Sequence, residues 1–317
     1  MTKNLISKYY RPIITWTVIG ILIMAFIMMI SDIREVISII SQINLKILPL
    51  ILILAPLNYF FRYIKWNYYL GIVNVELPPK INRAIFISGL SMTITPAKAG
   101  ELLKSYLLKE YNDTDISVTS PIIMAERITD AISMIILASI GSLAYQHGQY
   151  ILIFTMLAIV MGISSLYFDK LFELINSLLS KIKYFNKISS LLIEFQQNAK
   201  KLFGLKSLFV AIGLGLVSWG FEGFVVYLSL QALGGDLSIL GSIFVVSFSS
   251  ILGAVSFLPG GLGVAEGSIM GILIFLGVSK DLSAATTLIT RFSTLWLGVV
   301  LGVIGLFFAN KYIYKNK

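Results

Sequence analysis

The segment Phe257-Leu-Pro259-Gly-Gly-Leu-Gly263-Val-Ala-Glu266 lies inside an apolar stretch that runs from residue 240 to residue 278. Proline removes a backbone donor and glycine permits unusual backbone angles, so a helix is expected to break here. Freed backbone groups at membrane depth are tolerated only where they are buried in protein or line a wet cavity. The segment therefore predicts a broken or re-entrant helical hairpin. The predicted helix-breaking residues are Pro259, Gly260, Gly261 and Gly263.

The composition of the whole chain supports a membrane location. The chain has 317 residues, of which 57% are hydrophobic and 13% are charged. A soluble globular domain carries about 25% charged residues, so too little charge is present to cover a soluble surface of this size. Apolar runs of about 20 residues recur, which is the length needed to cross a bilayer core. We predict an all-α polytopic membrane protein without a sizeable water-soluble domain.

Six clear membrane spans are predicted, at residues 12–30, 46–61, 121–145, 150–168, 207–232 and 283–309. Two further apolar segments, residues 84–109 and 240–278, are interrupted, which makes eight hydrophobic segments in all. The first span is preceded by basic residues as in a signal peptide. It is longer than a usual signal sequence and no cleavage site follows, so we interpret it as a retained helix.

The distribution of charge predicts the orientation. The chain has 25 basic and 16 acidic residues, and the basic ones concentrate in residues 62–83, 169–206 and the C-terminal tail. This distribution is typical of cytoplasmic loops and anionic lipid surfaces, and it argues against a nucleic-acid partner. We expect a cell-membrane protein with both termini in the cytoplasm. Residues 169–203 have apolar positions at helical spacing between lysines, which predicts a basic amphipathic stretch lying in the interface or packed on neighbouring loops.

A second interrupted motif resembles the first. Residues 96–101 read Pro96-Ala-Lys-Ala-Gly100-Glu101, so glycine again follows proline by four positions and glutamate comes shortly after. Arg127 lies 31 residues after Pro96, and an arginine lies 32 residues after the second proline. Pro96 and Gly100 are therefore the predicted helix-breaking residues of this copy. With so few anchor residues, chance similarity is the alternative.

The two motifs predict an internal repeat. We expect one membrane domain, residues 1–317, with repeat units at about 46–145 and 207–309 that are joined by residues 150–206. The loop charges place the two units in opposite orientations, which is the inverted repeat that many secondary transporters use.

Ionisable residues inside membrane spans are costly, so each is a candidate functional residue. Guanidinium groups bind phosphate oxygens in pairs, although a salt bridge that fixes packing is the alternative for both span arginines. Asp130 is three residues from Arg127, and we favour a structural ion pair for it. Lys98 and Lys104 either bind head groups or snorkel to the interface. The predicted substrate-binding residues are Lys98, Glu101, Lys104, Glu126, Arg127, Glu266 and Arg291.

Three other expectations follow. Arg62, Lys65 and Trp66 close the second span and are predicted to form an interfacial belt, with a substrate contact as the alternative. A pseudo-twofold axis would bring Glu101 to one span arginine and Glu266 to the other, around one polar cavity. No catalytic residue, metal site or cofactor is predicted, because the chain has no cysteine, one histidine and no recognisable catalytic motif.

The motifs together resemble a known family. They are R-x-x-K-W at 62–66, P-x-x-x-G-E at 96–101, E-R-x-x-D at 126–130, P-G-G-x-G-x-x-E at 259–266 and a late span arginine. Over about residues 10–310 the chain resembles the lysylphosphatidylglycerol synthetase membrane-domain family, which is also described as flippase-like. Lys98 and Lys104 depart from it, because arginines are commoner there. Larger members carry a soluble aminoacyl-transferase domain after the membrane part, and its synthase activity is not expected here.

The resemblance implies a translocase that moves a phospholipid or a polyprenyl-linked lipid between leaflets. Its partners would be membrane lipids with anionic or lipid-linked head groups, and a homo-oligomer is compatible. One alternative is an accessory or structural membrane protein of envelope or glycan synthesis. The other is a membrane-embedded transferase, which would need carboxylates such as Glu101 and Glu266 for its chemistry.

Overall fold

The computed structural model describes residues 5–142 and 186–314, with a few isolated positions between 153 and 161. All regular structure in these residues is helical, which confirms the predicted all-α polytopic class. Apart from those isolated positions, the predicted span 150–168, the turn around His147 and the stretch 169–185 lie outside the described residues.

The helices are numbered in chain order through the described residues. The N-terminal half contains α1 (Leu5–Ile30), α2 (Ile33–Ser41), α3 (Leu48–Ile72), α4 (Pro79–Leu90), α5 (Leu103–Asn112) and α6 (Ile116–Ser142). The C-terminal half contains α7 (Asn186–Leu202), α8 (Leu205–Ala232), α9 (Ile239–Val255), α10 (Val264–Phe275), α11 (Lys280–Arg291) and α12 (Leu297–Tyr314). A π-helical segment, Phe292–Trp296, joins α11 to α12, so these two helices run on as one.

By length and composition, three helices of the described chain can cross a membrane: Leu48–Ile72, Leu205–Ala232 and the continuous Lys280–Ile313. Helix α6 has 27 residues, which at 1.5 Å per residue is also long enough, but it carries Glu126, Arg127 and Asp130. The total of six spans stays a prediction.

The second span is longer than predicted, and this corrects the role of its last residues. Helix α3 does not end near residue 61 but continues to Ile72. Arg62, Lys65 and Trp66 therefore lie within the helix and are only 6%, 1% and 0% exposed. The prediction of an interfacial belt is wrong, because the helix turns these side chains toward buried polar partners. The Nζ of Lys65, for example, lies 2.5 Å from Asp130 Oδ1.

Both interrupted segments are broken at their prolines. Helices α4 and α5 have 12 and 10 residues, hence lengths of about 18 and 15 Å, and each is too short to cross a core of about 30 Å. Between them lies the first break, residues 91–102, with a 3-10 turn that begins at Pro96. Between α9 and α10 lies the second break, residues 256–263, with a 3-10 turn that begins at Pro259. Whether these hairpins re-enter on their own side stays a prediction.

The packing of the helices supports the predicted repeat. Each unit has a long helix, a broken helix pair and another long helix: α3, α4–α5 and α6, then α8, α9–α10 and α11–α12. Helix α3 packs on α8, and the two breaks contact each other. Helix α4 packs on α12 of the other unit, and reciprocally α9 packs on α6. A pseudo-twofold axis would produce this exchange of equivalent partners, and the repeat stays a prediction.

Glycines allow the close approach at these reciprocal contacts. A Cβ added to Gly302 of α12 would lie 2.0 Å from the backbone nitrogen of Ser91, at the end of α4. A Cβ added to Gly141 of α6 would lie 2.6 Å from the Cβ of Phe244 in α9. The Gly298–Gly302 spacing is thus used for tight helix packing, as small residues commonly are in membrane bundles.

Two helices lie outside the predicted spans. Helix α2 is capped by Asp32, whose side chain accepts a hydrogen bond from the backbone nitrogen of Arg34 at 2.9 Å, and it packs on α11. Helix α7 is the described part of the amphipathic stretch. It packs on α6, and Leu202 at its end is fully buried, so this part contacts protein.

Candidate functional site

The two breaks meet at their backbones. Gly260 adopts a left-handed φ of 59°, which glycine tolerates without a steric penalty. A Cβ at this position would come within 3.3 Å of the Cα of Ile94 in the first break. The close approach places residues from both repeat units beside one another.

The second unit anchors Arg291 on its own break. Arg291 Nε donates to Glu266 Oε1 at 2.6 Å, and Arg291 Nη2 donates to the carbonyl of Gly260 at 3.0 Å. The other oxygen of Glu266 accepts from the backbone nitrogen of Gly263 at 2.6 Å, which caps the start of α10. Because both oxygens of Glu266 are engaged, this carboxylate fixes the arginine and the break together. The π-helical segment that follows Arg291 is a feature found frequently at functional sites.

The first unit also places a glutamate beside its arginine, but over a longer distance and with more charges. Arg127 Nη2 lies 3.5 Å from Glu101 Oε2, and the same carboxylate faces Arg62 Nη2 at 3.7 Å and Lys104 Nζ at 4.0 Å. Arg127 Nη2 also lies 3.1 Å from Asp130 Oδ2. Asp130 therefore forms the structural ion pair favoured for it. Glu101 is the single carboxylate around which three cations gather.

Lys104 and Glu126 pair behind this cluster. Their side chains meet at 2.5 Å, and the Lys104 ammonium lies 4.3 Å from the centre of the Trp66 ring. Neither Lys104 nor Glu126 lines the cavity described below. These two predicted substrate-binding residues therefore lie behind the charged cluster and do not reach the cavity. Lys104 does not snorkel, because its ammonium is neutralised inside the bundle.

A cavity of about 260 Å³ lies between the two units. Tyr59, Trp219, Gly260 and Gly261 form part of its wall. Four cations and two carboxylates reach it among the described residues, so the cavity is positively charged. These charged residues are Arg62, Lys98, Arg127, Asp130, Glu222 and Arg291.

Lys98 occupies this cavity at a conformational cost. Its φ is 54°, in the left-handed region that costs a non-glycine residue on the order of 1–2 kcal/mol. Gly261 has the same position after its proline and a φ of 67°, so the second unit uses glycine where the first uses lysine. The Lys98 ammonium lies 5.7 Å from the centre of the Trp219 ring and has no carboxylate within 4.0 Å in the described chain. Such strain is commonly retained at functional sites.

Several donors at this cavity lack an acceptor. Within residues 5–142 and 186–314, the buried Nε1 of Trp219 and the Nε of Arg127 have no hydrogen-bond partner, whereas Nη2 of Arg127 faces the carboxylates of Asp130 and Glu101. Buried donors are nearly always satisfied, so each exception needs an explanation. Together with the Lys98 ammonium they match an anion with several acceptor oxygens.

The sequence identified part of this site. Both glutamate–arginine pairs form, each within its own unit, and both arginines reach the same cavity. Glu101 and Glu266 hold the arginines from behind and do not line the cavity themselves. Trp219 was missed, since nothing in the sequence marks it. Glu222 was recognisable only as an ionisable residue inside a span, one helical turn after Trp219.

Metal binding has no support in the described parts of the chain. No group of three or more His, Asp or Glu side chains among them lies close enough to hold a metal ion. The arrangement of cations and unsatisfied donors is suited to holding an anion.

Comparisons with known proteins agree with this architecture. Residues 17–302 match the family model described as the lysylphosphatidylglycerol synthase TM region. A UPF0104 membrane protein of Methanothermobacter thermautotrophicus is 24% identical over 265 residues, covering 76% of this chain and 78% of the relative. One of Methanocaldococcus jannaschii is 28% identical over 71% of this chain and 96% of the relative. One of Pyrococcus horikoshii is 22% identical over 90% and 94%. The chain therefore belongs to the family of the lysylphosphatidylglycerol synthase transmembrane region.

Proposed function

We propose that this protein moves a lipid with an anionic phosphate head group, either a phospholipid or a polyprenyl-linked lipid, between the two leaflets of the membrane. One observation carries the proposal: both repeat units direct an anchored arginine into a single cavity, where Lys98 and Trp219 present further donors without acceptors. A phosphate group supplies several acceptor oxygens and the negative charge that this set of donors lacks.

The size of the cavity and the character of its rim suit the head group of a lipid. A volume of about 260 Å³ lies just below the range of about 300–1,000 Å³ that is typical of pockets for complete small molecules. The exposed apolar side chains Phe257 and Leu258 belong to the same cavity. In this arrangement the phosphate enters the charged interior, and the acyl chains stay along the apolar rim and in the bilayer.

The repeat supplies a means of exposing the cavity to each leaflet in turn. Transporters with inverted repeats bind substrate at the interface of the repeats, beside broken helices, and rock one repeat against the other. Here the breaks touch, and equivalent helices exchange partners across the cavity. The inverted orientation of the two units is part of the proposal.

The alternative functions receive less support from the geometry. The transferase considered from the sequence would need Glu101 and Glu266 as free carboxylates, but both oxygens of Glu266 are engaged, and Glu101 is surrounded by three cations. A purely structural role gives no reason to keep Lys98 in a left-handed conformation with its ammonium in a cavity.

The test is a leaflet-sidedness assay in proteoliposomes of phosphatidylcholine that contain a trace of fluorescent phosphatidylglycerol. Dithionite bleaches only the outer leaflet, so translocation converts protected lipid into bleachable lipid. We expect wild-type protein to bleach nearly all the label, and Lys98→Gly and Arg291→Lys to lose most of this activity while staying folded. Lys46→Gly, which removes an exposed lysine from a turn, is the matched control and should behave as wild type.

Two results would contradict the proposal. One is wild-type protein that leaves half of the label protected, as protein-free liposomes do. The other is a folded Lys98→Gly protein that translocates at the wild-type rate. Fluorescent phosphatidylcholine, added alone in a parallel assay, tests whether the anionic charge of the head group is required.

A further inference from the structure

Glu222 is a carboxylate in the cavity without a partner of its own. It lies on α8, one turn after Trp219, and contributes to the cavity wall. Within residues 5–142 and 186–314 it makes no hydrogen bond and no ion pair within 4.0 Å. The other cavity carboxylate, Asp130, is held by Lys65 at 2.5 Å and by Arg127 at 3.1 Å. The proposed phosphate binding uses only the cations and donors of the cavity. It therefore assigns no role to Glu222.

The surroundings of Glu222 are charged on several sides. Asp130 is a further carboxylate near it, and its charge disfavours a second negative charge at Glu222. The cations are those that the head group itself would use. The titratable and charged groups that face Glu222 are Tyr59 and Arg62 from α3, Lys98 from the first break, Asp130 from α6 and Arg291 from α11.

An ionised Glu222 would compete with the substrate. A carboxylate removed from water without a close partner is costly, and an arriving phosphate adds a second anion beside it. Uptake of a proton by the carboxylate removes both penalties and leaves Lys98 and Arg291 to the phosphate. A proton also fits this place better than a sodium ion, since the neighbouring cations repel a metal ion and no cluster of oxygen ligands is present among the described residues.

We propose that Glu222 is a proton-binding site that is linked to the anion site, so that one proton is taken up from solution when the cavity binds a head group and is released with it. No covalent bond other than this O–H bond forms or breaks. The inference rests on the proposed function for the identity of the anion. Because linkage is reciprocal, a proton gradient would then drive the lipid anion, and the anion would raise proton occupancy.

The experiment measures binding and proton uptake directly. Soluble dihexanoyl-phosphatidylglycerol is titrated into purified wild-type protein at about pH 5.5 and at about pH 8.5, a range over which its phosphodiester charge does not change. We expect binding up to about a hundredfold tighter at the lower pH, as a shift of about two units in proton affinity requires. Glu222→Gln, which resembles the protonated form, should bind with the low-pH affinity at both values. Glu76→Gln, which alters an exposed carboxylate, is the matched control.

A second measurement needs no variant. Wild-type protein in weakly buffered solution near neutral pH should take up close to one proton per bound lipid, and Glu222→Gln should take up none. Equal affinity at both pH values without proton uptake would overturn the inference, as would binding that depends on sodium at constant pH. These measurements distinguish a failure of the proton site from a failure of the proposed function. Lipid translocation without proton uptake refutes only the proton site. Proton-linked binding without translocation refutes only the translocase.

Discussion

Each of the two breaks places a glutamate beside an arginine at the cavity, but the surrounding residues differ. In the second break, a Pro-Gly-Gly-Leu-Gly sequence lets the backbone approach the first break, and one carboxylate, Glu266, holds one arginine. In the first break, Glu101 holds Arg127 but also faces two other cations, and a lysine takes a backbone conformation that glycine prefers. The shared element is the carboxylate that fixes an arginine at the cavity.

The difference indicates that the two units contribute different features to the cavity. The second unit contributes a close backbone contact and one well-anchored arginine. The first unit contributes most of the charge, and its ions balance one another only as a network. In a low-dielectric interior, removing one member of such a network leaves several charges without compensation. The two units should therefore respond unequally to equivalent substitutions.

The largest effect is expected for the two anchoring carboxylates. Glu101→Gln removes the anion that faces three buried cations and should lower the free energy of unfolding by about 3–5 kcal/mol. Glu266→Gln should cost about 1–3 kcal/mol, because the amide oxygen can still accept a hydrogen bond and Arg291 keeps the carbonyl of Gly260. Thermal and denaturant unfolding of the two proteins in the same detergent compares them. Equal losses in the free energy of unfolding, or a larger loss for Glu266→Gln, would refute this difference between the units.

An intermediate effect is expected where the breaks touch. Gly260→Ala forces a left-handed φ on alanine and places its Cβ 3.3 Å from Ile94 Cα, so it should cost about 1–3 kcal/mol. Gly267→Ala is the matched control, because nothing lies within 4 Å of its added Cβ and it sits inside α10. The control should gain up to about 1 kcal/mol from its helix propensity. A Gly260→Ala protein as stable as this control would show that the breaks do not need their close contact.

The smallest effect on stability is expected at Lys98. Lys98→Gly relieves the left-handed strain and removes a partly buried cation without an ionic partner, so stability should be unchanged or higher by up to about 1 kcal/mol. Measuring unfolding together with translocation separates a role of Lys98 in stabilising the fold from a role in binding the substrate. A strongly destabilised Lys98→Gly protein would show that Lys98 stabilises the fold instead of binding the substrate.

These contrasts also explain what the sequence could and could not predict. Pro96 and Pro259 mark the breaks because proline and glycine act locally, and Glu101 and Glu266 stand out because buried charge is costly. Arg62, Lys65 and Trp66 were assigned to an interface because their buried partners, Glu101, Asp130 and Asn82, lie on other helices or in the first break, where the periodicity of one span carries no information. Helix α2 is short and lies outside the apolar runs.

The features of the cavity were the hardest to anticipate. The backbone conformation of Lys98 shows no signal in a sequence, since lysine gives no hint that it replaces a glycine-like position. Trp219 resembles any other aromatic residue of a membrane span. Both acquire meaning only when the fold brings a donor without an acceptor into a cavity that is lined by charged groups from two units.

The central claim is that both repeat units hold one phosphate group between them. The most direct test is a structure of the protein in a lipid nanodisc that contains phosphatidylglycerol, determined at a resolution that shows head groups. The account predicts phosphate density in the cavity within hydrogen-bonding distance of Lys98 and the Trp219 nitrogen, with Arg127 and Arg291 on either side. Head groups bound only elsewhere, such as the outer groove beside Lys80 and Arg83, with the cavity empty or filled by a side chain, would contradict it.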